Sequence, residues 1–144
     1  MNKACYRKLK RYKYQLLEPY ILNVGIKGYK VDTRYLKLED NGKLKIEEGY
    51  AWDGPSGPTI DTLNFMRGSL VHDAIYQLIR LEKLPYSYKK YADLLLKKIC
   101  LEDGMSNFRA NYVYHAVKIF GGAAAKPGSD KPDKKICVPK DDQE

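Results

Sequence analysis

The sequence predicts an α+β domain in which a small antiparallel sheet precedes a three-helix region. Within residues 10–50, apolar and polar side chains alternate over short runs, which is typical of half-buried strands. After residue 62 the apolar period becomes helical and stays so to about residue 121. This order of strands followed by helices indicates an α+β fold rather than alternating βαβ units.

A hairpin is the clearest strand signal. Leu36 and Leu38 alternate with charged residues, and Leu44 and Ile46 do the same. Between them, residues 40–42 are Asp-Asn-Gly, a favourable hairpin turn because Asn and Gly tolerate positive φ. One face of the hairpin is therefore expected to be apolar and the other solvated.

The first predicted helix runs from about residue 64 to residues 81–83. Its apolar stripe has i, i+3, i+4, i+7 spacing and consists of Val71, Ala74, Ile75 and Leu78. Its expected polar flank consists of Ser69, Asp73, Tyr76 and Arg80. His72 lies at the edge of the apolar stripe, where the apolar face of the helix meets the polar face.

Two more helices are predicted. The second spans about Tyr88–Glu102, after a break at Pro85. The third begins after Ser106 or Asn107 and ends at Phe120, because Gly121 and Gly122 stop it. Because the connection between the first two is short, they should form an antiparallel pair. The predicted domain is residues 1–121, with strands in 10–50, a loop at 53–62 and helices in 64–121. Residues 122–144, rich in Gly, Pro, Lys and Asp, are expected to be a flexible charged tail.

Composition limits the class of protein. The apolar runs are shorter than the ~20 residues of a membrane span, and the cationic start does not resemble a signal peptide. The three cysteines, at positions 5, 100 and 137, lack the spacing of a disulfide framework or a zinc site. The cysteine usage is typical of a protein made in a reducing cytoplasm.

The net charge of +8 is concentrated near the N-terminus, where eight basic residues face one glutamate in the first 30 positions. Such a surface favours polyanions, and an anionic lipid or membrane surface is one candidate partner. Nucleic acid is a less expected partner, because no nucleic-acid-binding module signature is present. An ordinary solvated basic surface is the simplest interpretation.

The residues that suggest chemistry are an adjacent His72-Asp73 pair and Asp93. Adjacent side chains on a helix point about 100° apart, so His72 and Asp73 cannot both face one spot. This separation suits His72 as a base and Asp73 as an oxygen ligand for a hard cation. Asp93 should lie at a similar height on the second helix, where a carboxylate can fix the imidazole tautomer. The loop at 53–62 begins with Asp53 and offers carbonyl oxygens and free N–H groups. Each feature also has a structural interpretation: a satisfied histidine, a paired surface acid or an ordinary Gly/Pro turn.

Three motifs carry a family resemblance. Residues 49–56 are GYAWDGPS, residues 72–76 are HDAIY and residues 92–93 are AD. Over about residues 10–121 this pattern resembles an uncharacterised family of bacteriophage and prophage proteins, known as a domain of unknown function. The resemblance implies a location in the cytoplasm of a host cell or in a virion, and a phage or host protein as a further candidate partner. More distantly, the DGxS loop, the HDxxY helix and the following Asp resemble secreted phospholipases A2. Those enzymes are disulfide-bonded and exported, and this chain shows neither feature.

The phospholipase resemblance implies a calcium-dependent ester hydrolase acting on lipid or a related acyl substrate. His72 would activate water, and Asp93 would orient the imidazole. The implied calcium ligands are Asp73 and Asp53, and the implied supporting residues are Tyr76 and Ser56. The alternative hypothesis is a non-enzymatic phage accessory or virion protein that binds a host or phage component, in which the His-Asp network is structural.

Overall fold

The computed structural model describes residues 4–8, 14–53, 62–122 and 124–128, and it confirms the α+β fold. In these residues, short strands precede three helices. The strands are β1 (Tyr6–Lys8), β2 (Tyr14–Leu16), β3 (Tyr20–Asn23), β4 (Val31–Asp32), β5 (Leu36–Leu38), β6 (Lys43–Ile46) and β7 (Ala51–Trp52). The helices are α1 (Leu63–Arg80), α2 (Tyr88–Glu102) and α3 (Asn107–Phe120).

The strands form two small antiparallel sheets rather than one. One sheet has the order β1-β2-β7 and the other β3-β6-β5-β4. Pro19, which has no backbone N–H to donate, lies between β2 and β3, and these two strands join different sheets. Among the described strands, β7 is the one that returns the chain to the first sheet, and it precedes residues 54–61.

The predicted hairpin is confirmed as β5–β6. Leu36 pairs with Ile46 and Leu38 pairs with Leu44, and all four side chains are buried. Gly42 in the turn has φ +95°, a conformation that glycine adopts without strain. The apolar face of this hairpin forms part of the main core.

Helices α1 and α2 form the predicted antiparallel pair. Near the start of α1, Arg67 contacts Asp103, which directly follows α2. One and a half turns later, His72 contacts Asp93, near the middle of α2. Since later residues of α1 meet earlier residues of α2, the helices run in opposite directions.

Helix α1 is buried on more sides than its pattern predicts. Ser69 and Tyr76 were expected on a polar flank, and this expectation is wrong, because both are almost completely buried. The Trp52 indole N–H of β7 donates to Ser69 Oγ at 3.1 Å, while Tyr76 faces α2. The helix therefore lies between the β1-β2-β7 sheet and its partner helix.

A buried arginine, Arg67, links the strands to the helices. Arg67 Nη1 donates to Tyr20 Oη of β3 at 3.0 Å, and Nε and Nη2 bind the Asp103 carboxylate. Nη2 also contacts Glu102 at 3.0 Å. The hydrogen bonds that Arg67 donates to Asp103 are the main cause that raises the pKa of Arg67 beyond its already high value. This guanidinium joins β3, α1 and the end of α2.

The chain after α3 packs against the end of α1. Ala125 is fully buried, Arg80 Nη1 donates to the Ala124 carbonyl at 2.9 Å, and the Gly128 N–H donates to the Arg80 carbonyl at 2.7 Å. Packed structure thus continues past residue 121. Residues 129–144 lie outside the described residues, and the flexibility expected of the tail stays a prediction.

Two expectations from composition concern the described residues. Among them, no helix combines the length and the apolar content needed to span a bilayer. Neither Cys5 nor Cys100 forms a disulfide bond. Burial raises the pKa of the Cys100 thiol to about 12, as for an inert core side chain.

Arg67→Met should destabilise the protein by about 2–3 kcal/mol, because the largely buried carboxylate of Asp103 loses its counter-charge. Urea unfolding measures this loss. Lys98→Met, which removes an exposed charge from α2, is the control and should change the free energy of unfolding by less than about 0.5 kcal/mol. Equal effects of the two substitutions would contradict the role assigned to Arg67.

Gly68→Ala should also destabilise the protein, although alanine is the better helix former by about 1 kcal/mol. A Cβ at position 68 would lie 2.9 Å from Leu96 Cδ1 and 3.3 Å from the Leu96 carbonyl oxygen. Overpacking of this kind costs about 1–3 kcal/mol, so the expected net change is a loss. A rise in the thermal midpoint of Gly68→Ala would show that α1 and α2 can separate without cost.

Candidate functional site

The centre of the candidate site is the buried carboxylate of Asp93, which is 1% exposed. His72 Nε2 lies 2.7 Å from its Oδ1, and the Tyr76 hydroxyl donates to the same oxygen at 2.6 Å. Lys89 Nζ donates to Oδ2 at 2.9 Å. Three donors thus satisfy both oxygens of one carboxylate.

Helix geometry explains how these four side chains meet. His72 and Tyr76 are four residues apart on α1, and Lys89 and Asp93 are four residues apart on α2. Residues at i and i+4 lie on the same helix face, one turn apart. Antiparallel packing of α1 and α2 then brings the two pairs together.

Electrostatics favour an ionised Asp93. Burial acts to raise the pKa of Asp93, but hydrogen bonds from His72, Tyr76 and Lys89 outweigh it and lower that pKa. Burial acts to lower the pKa of His72, but Asp73 and Asp93 outweigh it and raise that pKa. Because an ionised carboxylate only accepts hydrogen bonds, the proton in the short contact belongs to His72 Nε2.

The other ring nitrogen of His72 faces a second acid. Nδ1 lies 3.6 Å from Asp73 Oδ1, longer than a direct hydrogen bond, and the Asp73 side chain is 24% exposed. Burial raises the pKa of Asp73, and the nearby charge of Asp53 adds to this, while His72 and Arg80 act to lower it. The imidazole is therefore flanked by one buried and one partly exposed carboxylate.

Most of the predicted site residues are brought together. His72, Asp93 and Tyr76 form one hydrogen-bonded group, and Asp73 adjoins it. Asp53 is exposed and near enough to affect the pKa of Asp73. Ser56 and the rest of the loop, residues 54–61, lie outside the described residues.

The described residues contain no group of three or more His, Cys, Asp or Glu side chains able to hold a metal ion. Calcium takes about six to eight oxygen ligands, many of which can be carbonyls or water. Asp73 and Asp53 are carboxylates of a suitable kind for such an ion. The carbonyl oxygens expected from the loop belong to residues 54–61, so the role of Asp73 and Asp53 as ligands stays a prediction.

Two residues of the site were missed by the sequence interpretation. Lys89 pairs with Asp93, and their i, i+4 spacing on a predicted helix was a signal that could have identified it. Gly121 was interpreted only as a helix stop. A Cβ there would lie 2.6 Å from the Tyr76 hydroxyl, so glycine permits the close approach of α3 to Tyr76. No sequence pattern indicated that contact.

The Lys89–Asp93 pair gives a prediction about stability. Asp93→Asn should cost about 3 kcal/mol, because Lys89 is left largely buried, with its side chain 12% exposed, and without a counter-charge. Adding Lys89→Met removes the unpaired charge and should recover at least about 1 kcal/mol in urea unfolding. The matched control adds Lys90→Met, an exposed neighbour, to Asp93→Asn and should recover nothing. Simple additivity of the Lys89 and Asp93 effects would contradict the pairing.

Comparison with known proteins does not identify a family or a function for this site. Protein-family models, curated proteins and solved structures were each compared with the chain, and none matches. The family resemblances therefore rest on the quoted motifs and their spacing. The function has to be argued from His72, Asp73 and Asp93.

Proposed function

We propose that the protein is a phospholipase A2-like, calcium-dependent hydrolase of acyl esters in lipids or related substrates, encoded by a phage as the motif resemblance implies. One observation carries this proposal. His72 is held at Nε2 by the buried carboxylate of Asp93 and directs Nδ1 toward the partly exposed Asp73. This is the arrangement that a general base next to a cation-binding carboxylate requires.

The base in this proposal is His72 Nδ1. When the imidazole is neutral, Nε2–H donates to Asp93 and Nδ1 carries the lone pair. Nδ1 takes a proton from water as the water oxygen attacks the ester carbonyl carbon. The same proton is then given to the leaving alkoxide as the C–O bond breaks. Asp93, held in turn by Tyr76, keeps the ring orientation constant through both transfers.

The cation ligands in this proposal are Asp73 and Asp53. Their mutual repulsion contributes to the raised pKa of Asp73, and a bound cation would remove that repulsion. Calcium held there would polarise the ester carbonyl and stabilise the negative charge that develops on its oxygen. Asp73 is near enough to His72 to place the water and the carbonyl side by side.

A lipid substrate is supported by the surface of α3. Phe108 is 85% exposed and Ile119 is 70% exposed, while the helix contains no acidic residue. Apolar side chains beside basic ones suit the interface of an anionic bilayer. The net charge of +8 adds to this attraction.

A second candidate is the non-enzymatic phage protein in which the same network is structural. The observation that favours it is burial, since His72 is only 4% exposed and Asp93 already has three donors. Networks of this kind also stabilise helix pairs without any chemistry. The two candidates differ in what calcium and a His72 substitution should do.

The deciding experiment is thermal unfolding with calcium and with excess chelator, alongside hydrolysis of a phospholipid in anionic vesicles. If calcium binds, a concentration of about 100 times Kd adds about 2.7 kcal/mol and raises the midpoint by several degrees. Asp73→Asn should abolish this rise. Asp40→Asn, which removes an exposed turn carboxylate, is the matched control and should retain it.

His72→Gln separates catalysis from ion binding. It should reduce hydrolysis by at least about 100-fold, as expected for loss of a general base, while the calcium-dependent rise persists. If calcium shifts no midpoint, the wild type hydrolyses no ester and His72→Gln only loses stability, the enzyme proposal is wrong and the structural candidate is supported.

A further inference from the structure

A cavity of about 300 Å³ lies between the start of α2 and the end of α3, with Asp93 among its lining residues. The cationic side chains that line it are Lys89, Lys90 and Lys118. Tyr86 and Tyr114 supply aromatic walls, and Ser87 lies at its edge. The cavity shares only Asp93 and Lys89 with the network around His72.

The charges in this cavity do not balance. Three ammonium groups face one carboxylate, Asp93, and that carboxylate already accepts from Lys89, His72 and Tyr76. Within the described part of the chain, Lys90 and Lys118 form no ion pair and both are exposed. The lining therefore carries an excess of positive charge that none of the described residues neutralises.

The two helices that line the cavity contact each other through Lys89. Lys89 Nζ contacts the Lys118 carbonyl at 3.4 Å as well as Asp93, and so links α2 to α3. Lys90 follows Lys89 in the first turn of α2, and Lys118 lies in the last turn of α3. Lys90 and Lys118 thus line the same cavity from two different helices. The Ser87 hydroxyl forms no helix-capping bond and offers a further donor.

We propose that this cavity binds a phosphate group carried on a small organic molecule or on a lipid. Phosphate has several acceptor oxygens in a compact volume, which matches convergent ammonium and hydroxyl donors. The cavity is larger than a phosphate ion and leaves room for an ester substituent against Tyr114. A single carboxylate ligand would neutralise less of the charge. The inference does not depend on ester hydrolysis, since it uses neither His72 nor Asp73.

The test is calorimetric titration of the full chain at constant ionic strength with inorganic phosphate and with glycerol 3-phosphate. A parallel series measures binding to phosphatidylglycerol and phosphatidylcholine vesicles. The site variant is Lys90→Gln with Lys118→Gln, and it should bind about tenfold more weakly because two charged donors are lost. Lys27→Gln with Lys98→Gln removes the same charge from exposed positions elsewhere and should change the affinity by less than about twofold.

The source of the phosphate follows from which probe binds. Saturable binding of glycerol 3-phosphate or inorganic phosphate, weakened only in the site variant, supports a soluble phosphate ligand. Binding of phosphatidylglycerol vesicles alone, with the same dependence on the variants, supports a lipid headgroup. Equal weakening in both double variants shows general charge attraction and overturns the proposal, as does failure of every probe to bind. Because all four lysines are exposed, equal thermal midpoints are expected and confirm that each variant is folded.

Discussion

The structure around the candidate site depends on one buried carboxylate. Transferring an ionised acid from water to a protein interior costs several kcal/mol unless hydrogen bonds replace its hydration. Asp93 receives that replacement from donors on both helices of the pair. A slip of one turn, about 5.4 Å, would separate Asp93 from its α1 donors. Asp93 therefore fixes the register of the two helices and the orientation of His72. It also forms part of the wall of the lysine-lined cavity.

Much of the framework could be predicted because its causes are local. The β5–β6 hairpin follows from period-two alternation around an Asn-Gly turn, and the bounds of α2 and α3 follow from Pro85, Ser106 and Gly121. The meeting of His72 with Asp93 was also predictable. It needs only the rise per residue of a helix and a short connection between two antiparallel helices.

The remaining features depend on contacts between distant segments. The helical period places Tyr76 on a polar flank, yet the packing of α1 between a sheet and α2 buries it. The contact of Arg67 with Tyr20 joins residues 47 positions apart, and no periodic pattern indicates such a pair. The sequence alone does not decide which face of α2 is buried, since Leu94, Leu95 and Leu96 point to several sides of the helix. Only Leu96 of these three is fully buried.

The closure of α1 by the segment after α3 has a consequence for synthesis of the chain. The last carbonyl of α1, at Arg80, accepts its hydrogen bond from Gly128, and the Arg80 side chain binds the Ala124 carbonyl. As the polypeptide emerges from a ribosome, α1 and α2 can pair early, but the end of α1 stays open to water until residue 128 is available. The helix that carries His72 therefore gains the partner of its last carbonyl only after residue 128 has been synthesised.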